Sequence, residues 1–153
     1  MAIKYNTMNA SLQGWVLVFI QFICLGLLFG YPMVFPTSPA GKLFFYSGIL
    51  LGIWAVIAMP PASLTIHPVP KPSGSLAFKG PYRLIRHPMY AAVIWVSFSQ
   101  VFDYTGAKNI CCFIMLVGAL IAKIIMEEKL LVEKYTGFAA YQQKTKKLIP
   151  FVW

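Results

Sequence analysis

Acidic residues are scarce in this chain: it has four Asp and Glu against thirteen Lys and Arg in 153 residues, and charged residues of both signs make up only 11%. A sequence so poor in charge, 59% hydrophobic and with a mean hydropathy of +0.70, is not an ordinary soluble domain. Its three cysteines, Cys24, Cys111 and Cys112, sit inside apolar stretches without framework or zinc spacing, which excludes a disulfide scaffold. The only histidines, His67 and His87, lack cysteine or carboxylate companions in metal-ligand spacing, so no metal is expected. Phe151-Val152-Trp153 contains no prenylation box. No internal repeat or separate soluble domain is visible, and residues 1–153 read as one domain.

Long apolar runs are what the chain does have. Nothing ionised lies between Tyr5 and Gly41, and Leu12 to Phe35 alone exceeds the roughly 20 residues needed to cross the hydrocarbon core. Ser38-Pro39-Ala40 imitates a signal-peptidase site, but the preceding apolar region is longer than a signal-peptide core of about 7–15 residues. Further runs at 43–59, 88–104 and 109–126 predict an all-α integral membrane bundle of about four spans. The third is the shortest, since its charge-free part, Pro88 to Phe102, covers only about 22 Å as a helix. Four spans place Lys4, the basic residues of the 60–87 segment (Lys71, Lys79, Arg83, Arg86) and those of the tail (Lys129, Lys134, Lys144, Lys146, Lys147) on one side. Lys42 and Lys108 lie on the other, so the positive-inside rule predicts both termini in the cytoplasm. Because the basic residues flank spans, the net charge of +9 is read as attraction to anionic membrane lipids, not as nucleic acid binding.

Between the second and third spans, Pro60, Pro61, Pro68, Pro70 and Pro72 with Gly74 forbid a regular helix. A connection this long is expected to fold over the membrane surface and form part of a pocket. After the fourth span the helical pattern continues to about Tyr135 with Gly137 as a stop, followed by a short surface helix over Phe138 to Lys147.

Two polar clusters stand out. In Gly80-Pro81-Tyr82-Arg83-Leu84-Ile85-Arg86-His87-Pro88-Met89-Tyr90, Pro88 suits the first turn of the third span, whose free N–H groups beside Arg86 and His87 make a seat for a carboxylate or phosphate. Interfacial anchoring by the arginines and tyrosines is the competing reading. Glu127-Glu128, at the end of the fourth span, opposes the helix dipole and needs compensation from Lys123 at i−4 and from Arg83 or Arg86. That pair is either a structural ion pair or a carboxylate holding a ribose diol or an amino group.

Taken in order, Gly80-Pro81-Tyr82-Arg83, Arg86-His87-Pro88-Met89-Tyr90, Glu127-Glu128, Gly137, Tyr141 and Leu148-Ile149-Pro150 resemble the isoprenylcysteine carboxyl methyltransferase and phospholipid methyltransferase superfamily of membrane enzymes, from about His67 to Pro150. The resemblance implies S-adenosylmethionine as methyl donor, bound at the cytoplasmic face. By position it implies cofactor contacts at Tyr82, His87, Pro88, Met89, Tyr90 and Glu128, with a looser match at His67, Gly74, Ser75, Leu76 and Ala77. Arg86, as a partner for the acceptor, and Glu127, as a base for an amine or thiol acceptor, are the candidate catalytic residues. The acceptor is expected to be lipid-like or small and apolar. Two positions depart from the superfamily: Ala92 stands where a glycine often follows the motif, and Ile124, beside Lys123, stands where isoprenylcysteine enzymes place an arginine. The second departure argues against a prenylcysteine carboxylate as acceptor and leaves the donor site intact. A nicotinamide-dependent membrane reductase on a related scaffold and a non-catalytic membrane protein are the alternatives.

Overall fold

The computed structural model describes residues 7–30 and 35–150, with side chains from Ala10 onward; Lys4, Tyr5 and the 31–34 part of the expected first span lie outside the described residues. Five α-helices and no strand occur among them: α1 (Thr7–Phe29), α2 (Pro39–Ala58), α3 (Pro88–Asp103), α4 (Ala107–Lys134) and α5 (Phe138–Lys144). Short 3₁₀ turns at Pro61–Ser63 and Gly80–Arg83 interrupt the long connection between α2 and α3.

Local chemistry sets the helix ends. α1 stops where Gly30 takes φ +66° and its N–H bonds back to the Gly26 carbonyl at 2.8 Å. α2 starts at Ser38, whose hydroxyl accepts from the Gly41 N–H at 2.9 Å, with Pro39 in the first turn, and it stops before Pro60-Pro61. α4 runs without interruption through Glu127 and Glu128 to Lys134, as the continuing pattern predicts. α5 ends at Lys144, three residues before the expected end. Thr145 is extended there (φ −129°, ψ 160°), and the following backbone pairs with the segment ahead of α3: Arg86 N–H to Lys146 C=O at 2.7 Å and His87 N–H to Lys147 C=O at 3.0 Å.

Among the described residues three helices, at 10–29, 39–58 and 107–134, are long and apolar enough to cross a membrane. The 16 residues of α3 span only about 24 Å, short of the roughly 30 Å hydrocarbon core. α3 is nevertheless central, lying between α2 and α4. Gly48 of α2 lets the backbones meet: a Cβ there would stand 2.8 Å from Val96 Cγ2 and 2.9 Å from Val96 N. At the far end of this pair the Asp103 carboxylate accepts the Thr37 and Ser38 N–H groups at 2.5 and 2.8 Å and the Ser38 hydroxyl, tying the start of α2 to the end of α3. α1 packs on α4 through Cys24 and Leu28 against Leu116 and Leu120. Successive helices are antiparallel, so the start of α1, the end of α2, the 59–87 connection, the start of α3, the end of α4 and α5 all meet at one end. Leu12, Phe19 and Ile23 of α1, Leu43, Leu50 and Ile57 of α2, and Ile114 of α4 face outward, as a lipid-facing surface requires.

Candidate active site

At that common end the two polar clusters of the sequence come together. Pro88 opens α3, placing Arg86 and His87 just ahead of its first turn, opposite the last turns of α4. Arg86 Nε donates to Glu128 Oε1 at 2.7 Å, and His87 Nε2 lies 3.2 Å from the same oxygen. Gln142 of α5 donates to the other carboxylate oxygen, Oε2, at 3.1 Å. The remaining donors of Arg86 reach the tail: Nη1 bonds the Gln142 carbonyl at 3.1 Å and the Thr145 carbonyl. Glu128 thus accepts three hydrogen bonds, two at Oε1 and one at Oε2, and its side chain is 10% exposed.

Glu127 sits in a different environment. Its side chain is 26% exposed, accepts from Tyr90 Oη at 2.9 Å and lies 3.8 Å from His87 Nδ1. Adjacent positions on a helix point about 100° apart, so the two carboxylates, neighbours in sequence, have separate partners. Tyr90 also stacks in parallel on the His87 ring, centroids 5.5 Å apart.

Glu127 faces a cavity of about 80 Å³. Its walls come from the α2–α3 connection (Ser63, Thr65, Pro68, Pro70, Lys71, Gly74, Ser75, Leu76, Ala77), from Tyr82, Arg86 and His87, and from α4 and α5 (Leu131, Tyr135, Phe138, Tyr141). The connection is laid over the cavity by hydrogen bonds: Ser75 N–H to Ser63 Oγ at 2.8 Å, Lys71 Nζ to the Leu64 carbonyl at 2.6 Å, Tyr135 Oη to the Gly74 carbonyl and Lys134 Nζ to the Lys71 carbonyl. Tyr141 Oη donates to the Tyr82 carbonyl at 2.6 Å. The Tyr82 hydroxyl itself is buried in the wall without a hydrogen-bond partner. Burial, reinforced by the Glu127 charge, pushes the Tyr82 phenol well above its ordinary value, and burial holds Tyr141 at about 12. Both are neutral donors at physiological pH.

Most of the residues picked out by sequence meet here. Gly74, Ser75, Leu76, Ala77, Tyr82, Arg86, His87 and Glu127 line the cavity, while Tyr90 and Glu128 stand behind that wall. Arg83 is exposed and takes no part in compensating the glutamates. Pro88 is buried at the helix start. Met89 turns away into a second, apolar groove of about 900 Å³ between α1 and α2, floored by Ala92, Val93 and Val96 of α3. His67 does not line the cavity: its Nε2 lies 3.0 Å from the Ser11 carbonyl, Nδ1 accepts from the Val69 N–H at 3.2 Å, and its ring leans on Trp15. It pins the connection to α1. Sequence reasoning missed Tyr135, Gln142 and Thr145, which reach the site only because the tail folds back on the segment before α3. It missed Met59 as well, which follows α2 and lines the cavity, since a lone methionine carries no local signal. Among the described residues no group of three His, Cys, Asp or Glu side chains is placed to hold a metal.

No curated protein and no solved structure matches the chain. A family model does, over residues 43–133, from the start of α2 nearly to the end of α4, so that it takes in both glutamates, the motif before α3 and the connection over the cavity. The match thus covers the polar end just described except for Tyr135, α5 and the tail, together with two apolar helices of membrane-crossing length, and the chain belongs to the isoprenylcysteine carboxyl methyltransferase family of membrane methyltransferases.

Proposed function

We propose that this protein transfers a methyl group from S-adenosylmethionine, bound in the cavity at the end of α4, to a lipophilic acceptor that arrives through the apolar groove between α1 and α2. The observation that carries the reading is the pairing of these two spaces. Met59 borders the polar cavity, Met89 borders the apolar groove, and both pack on the same cluster of Ala55, Ala77 and Tyr82. That small cluster lies between a charged chamber and a lipid-facing groove that runs about 18 Å along α2 from Phe45 to Ile57.

The chamber suits the donor chemically. Its orphaned Tyr82 hydroxyl offers a hydrogen bond that no protein group takes, and Glu127 is a partly exposed acceptor for an ammonium. Met59, Leu76, Ala77, Leu131 and Phe138 supply an apolar cover. Its volume is below the roughly 300–1,000 Å³ of small-molecule sites, so the cavity has to widen on binding. The Lys71–Leu64, Ser75–Ser63 and Lys134–Lys71 hydrogen bonds over the cavity are exposed, each worth about 0.5–1.5 kcal/mol, and are readily exchanged for water, whereas His67 and the buried Pro68 keep the connection anchored.

When bound, S-adenosylmethionine supplies an electrophilic methyl on a sulfonium centre. The chain's own residues do the rest: Glu128, held by Arg86, His87 and Gln142, fixes the start of α3 against the end of α4. Glu127 and Tyr82 orient the polar ligand, and the apolar walls exclude water. For an amine or thiol acceptor, Glu127, the more exposed of the two glutamates, is the candidate base. Arg86 is spent on Glu128 and the tail carbonyls, so its part is to hold the site together. The exposed Lys71, Lys79, Arg83, Lys129, Lys134, Lys144 and Lys146 at this end support a cytoplasmic orientation for it and, with it, for both termini.

Calorimetry of the detergent-solubilised protein with S-adenosylhomocysteine tests the reading. Saturable binding is expected, and Tyr82→Phe should weaken it about three- to tenfold, the loss of one hydrogen bond, with no fall in melting temperature. Absence of binding by folded protein would overturn the donor site.

A further inference from the structure

Lys123 is the most buried charged side chain among the described residues, 1% exposed in a stretch of α4 whose neighbours are Leu120, Ile121, Ala122, Ile124 and Ile125. An ammonium inside an apolar span is costly, and a hydrocarbon side chain of similar volume would join α1, α3 and α4 as well. Packing alone does not account for it.

Its surroundings point to a role. From α1, Gln21, itself 7% exposed, accepts a hydrogen bond from Lys123 Nζ at 2.7 Å. From α3, the Tyr90 ring lies beneath the ammonium, 5.0 Å from Nζ to the centroid. One turn further along α4 is Glu127, which Tyr90 Oη holds at 2.9 Å. The chain of contacts thus runs from Gln21 through Lys123 and Tyr90 to the carboxylate that faces the cavity.

We infer that Lys123 is a positioning residue for the donor site: clamped by Gln21, its ammonium fixes the Tyr90 ring, and Tyr90 in turn holds the Glu127 carboxylate toward the cavity. The inference rests on the reading above, in which that cavity receives the donor. Lys123 touches neither donor nor acceptor, and it acts through Tyr90 and Glu127.

The test is a thermodynamic cycle on S-adenosylhomocysteine affinity, measured by calorimetry on the full detergent-solubilised chain. Lys123→Met is expected to weaken binding about tenfold, and Lys123→Arg, which keeps a cation over the ring, to stay within about threefold of wild type. Tyr90→Phe keeps the ring and removes the hydroxyl, and should lose about as much as Lys123→Met. Because both substitutions release the same carboxylate, the double variant should lose no more than the weaker-binding single variant. A general structural contribution predicts losses that multiply, and that result overturns the inference, as does wild-type affinity in Lys123→Met. If Lys123→Met does not fold, Gln21→Met, which removes the clamp and leaves α4 unchanged, enters the same cycle with Tyr90→Phe. Absence of binding by wild type overturns the donor site together with this inference, whereas unaltered binding by the variants overturns the inference alone.

Discussion

Replacing Arg86 by methionine should unfold the protein far more readily than it alters any step of catalysis. The guanidinium is 7% exposed; it donates to Glu128 at 2.7 Å and to two carbonyls of the tail. In Arg86→Met, Glu128 keeps His87 and Gln142 but loses its cation while remaining nine-tenths buried. Removing one partner of a buried pair costs about 3–5 kcal/mol, a large part of a typical total stability of about 5–15 kcal/mol. For a chain of this size that is a fall in Tm of about 6–20 °C. Arg86→Lys should lie in between, because a point charge cannot serve Glu128 and the tail carbonyls at once. The double variant Arg86→Met/Glu128→Met should recover most of the loss, since the stranded charge is gone. Thermal unfolding in detergent, followed by tryptophan fluorescence, reads all three. If Arg86→Met melts within about 2 °C of wild type, less than about 1 kcal/mol at this size, the guanidinium is no structural hub and its role as an acceptor ligand returns. A double variant whose loss equals the sum of the two single losses would refute the argument equally.

Two glycines of similar sequence setting should respond in opposite ways. Gly48→Ala forces a methyl within 2.9 Å of the Val96 backbone and should cost about 1–3 kcal/mol, whereas Gly26→Ala, with nothing within 4 Å, should leave the melting temperature unchanged or raised; equal effects would refute the close contact of α2 and α3. Alkaline stability is the other expectation: burial raises the Tyr141 phenol to about 12 and Tyr82 higher still, against about 10 in an unfolded chain. The unfolded state then releases these protons first, so their contribution is complete below about pH 10 and is lost as the pH rises toward 12, and Tyr141→Phe should flatten that fall in melting temperature. A Tm that shows the same alkaline decline in Tyr141→Phe and Tyr82→Phe as in wild type would count against buried phenols.

The membrane helices were legible in the sequence because a bilayer leaves few options: an apolar run without charge must close its own backbone hydrogen bonds as a helix. Pro88 marked the start of α3 correctly for a local reason, the fixed φ of proline in a first turn, whereas α2 begins at Pro39, four residues ahead of the expected run at 43–59. The meeting of Arg86 and His87 with the glutamates was legible too, from topology and the charge that Glu127-Glu128 places against the helix dipole. What stayed hidden depends on contacts between distant segments. Nothing local distinguishes Glu127 from Glu128: which of them faces the cavity follows from how α3 and α5 pack on α4. The end of α5 at Lys144 follows from backbone pairing with residues 84–87, some sixty positions earlier. His67 looked like a site residue because it lies in the proline-rich connection, and only the Ser11 carbonyl of α1 reveals what its ring is bonded to.

The two adjacent glutamates are best understood through the cost of charge at a membrane edge. A carboxylate close to the hydrocarbon is tolerable when fully partnered, and Glu128 meets that condition with a guanidinium, an imidazole and an amide. Three of its roughly four acceptor sites are taken by protein donors, so its main structural contribution is rigidity: it locks the start of α3, the end of α4 and the tail into one block. Glu127 has fewer bonds and more exposure, with one phenol hydrogen bond at 2.9 Å and an imidazole at 3.8 Å. Under the proposed function, a cationic ligand in the cavity would find at Glu127 an acceptor with lone pairs to spare, on a wall that Glu128 keeps from yielding. Exchanging the two roles would need the Arg86 guanidinium to leave Glu128 and the tail carbonyls and turn to Glu127. The pairing of the Arg86 backbone N–H with the Lys146 carbonyl at 2.7 Å keeps it beside the tail, and so on Glu128.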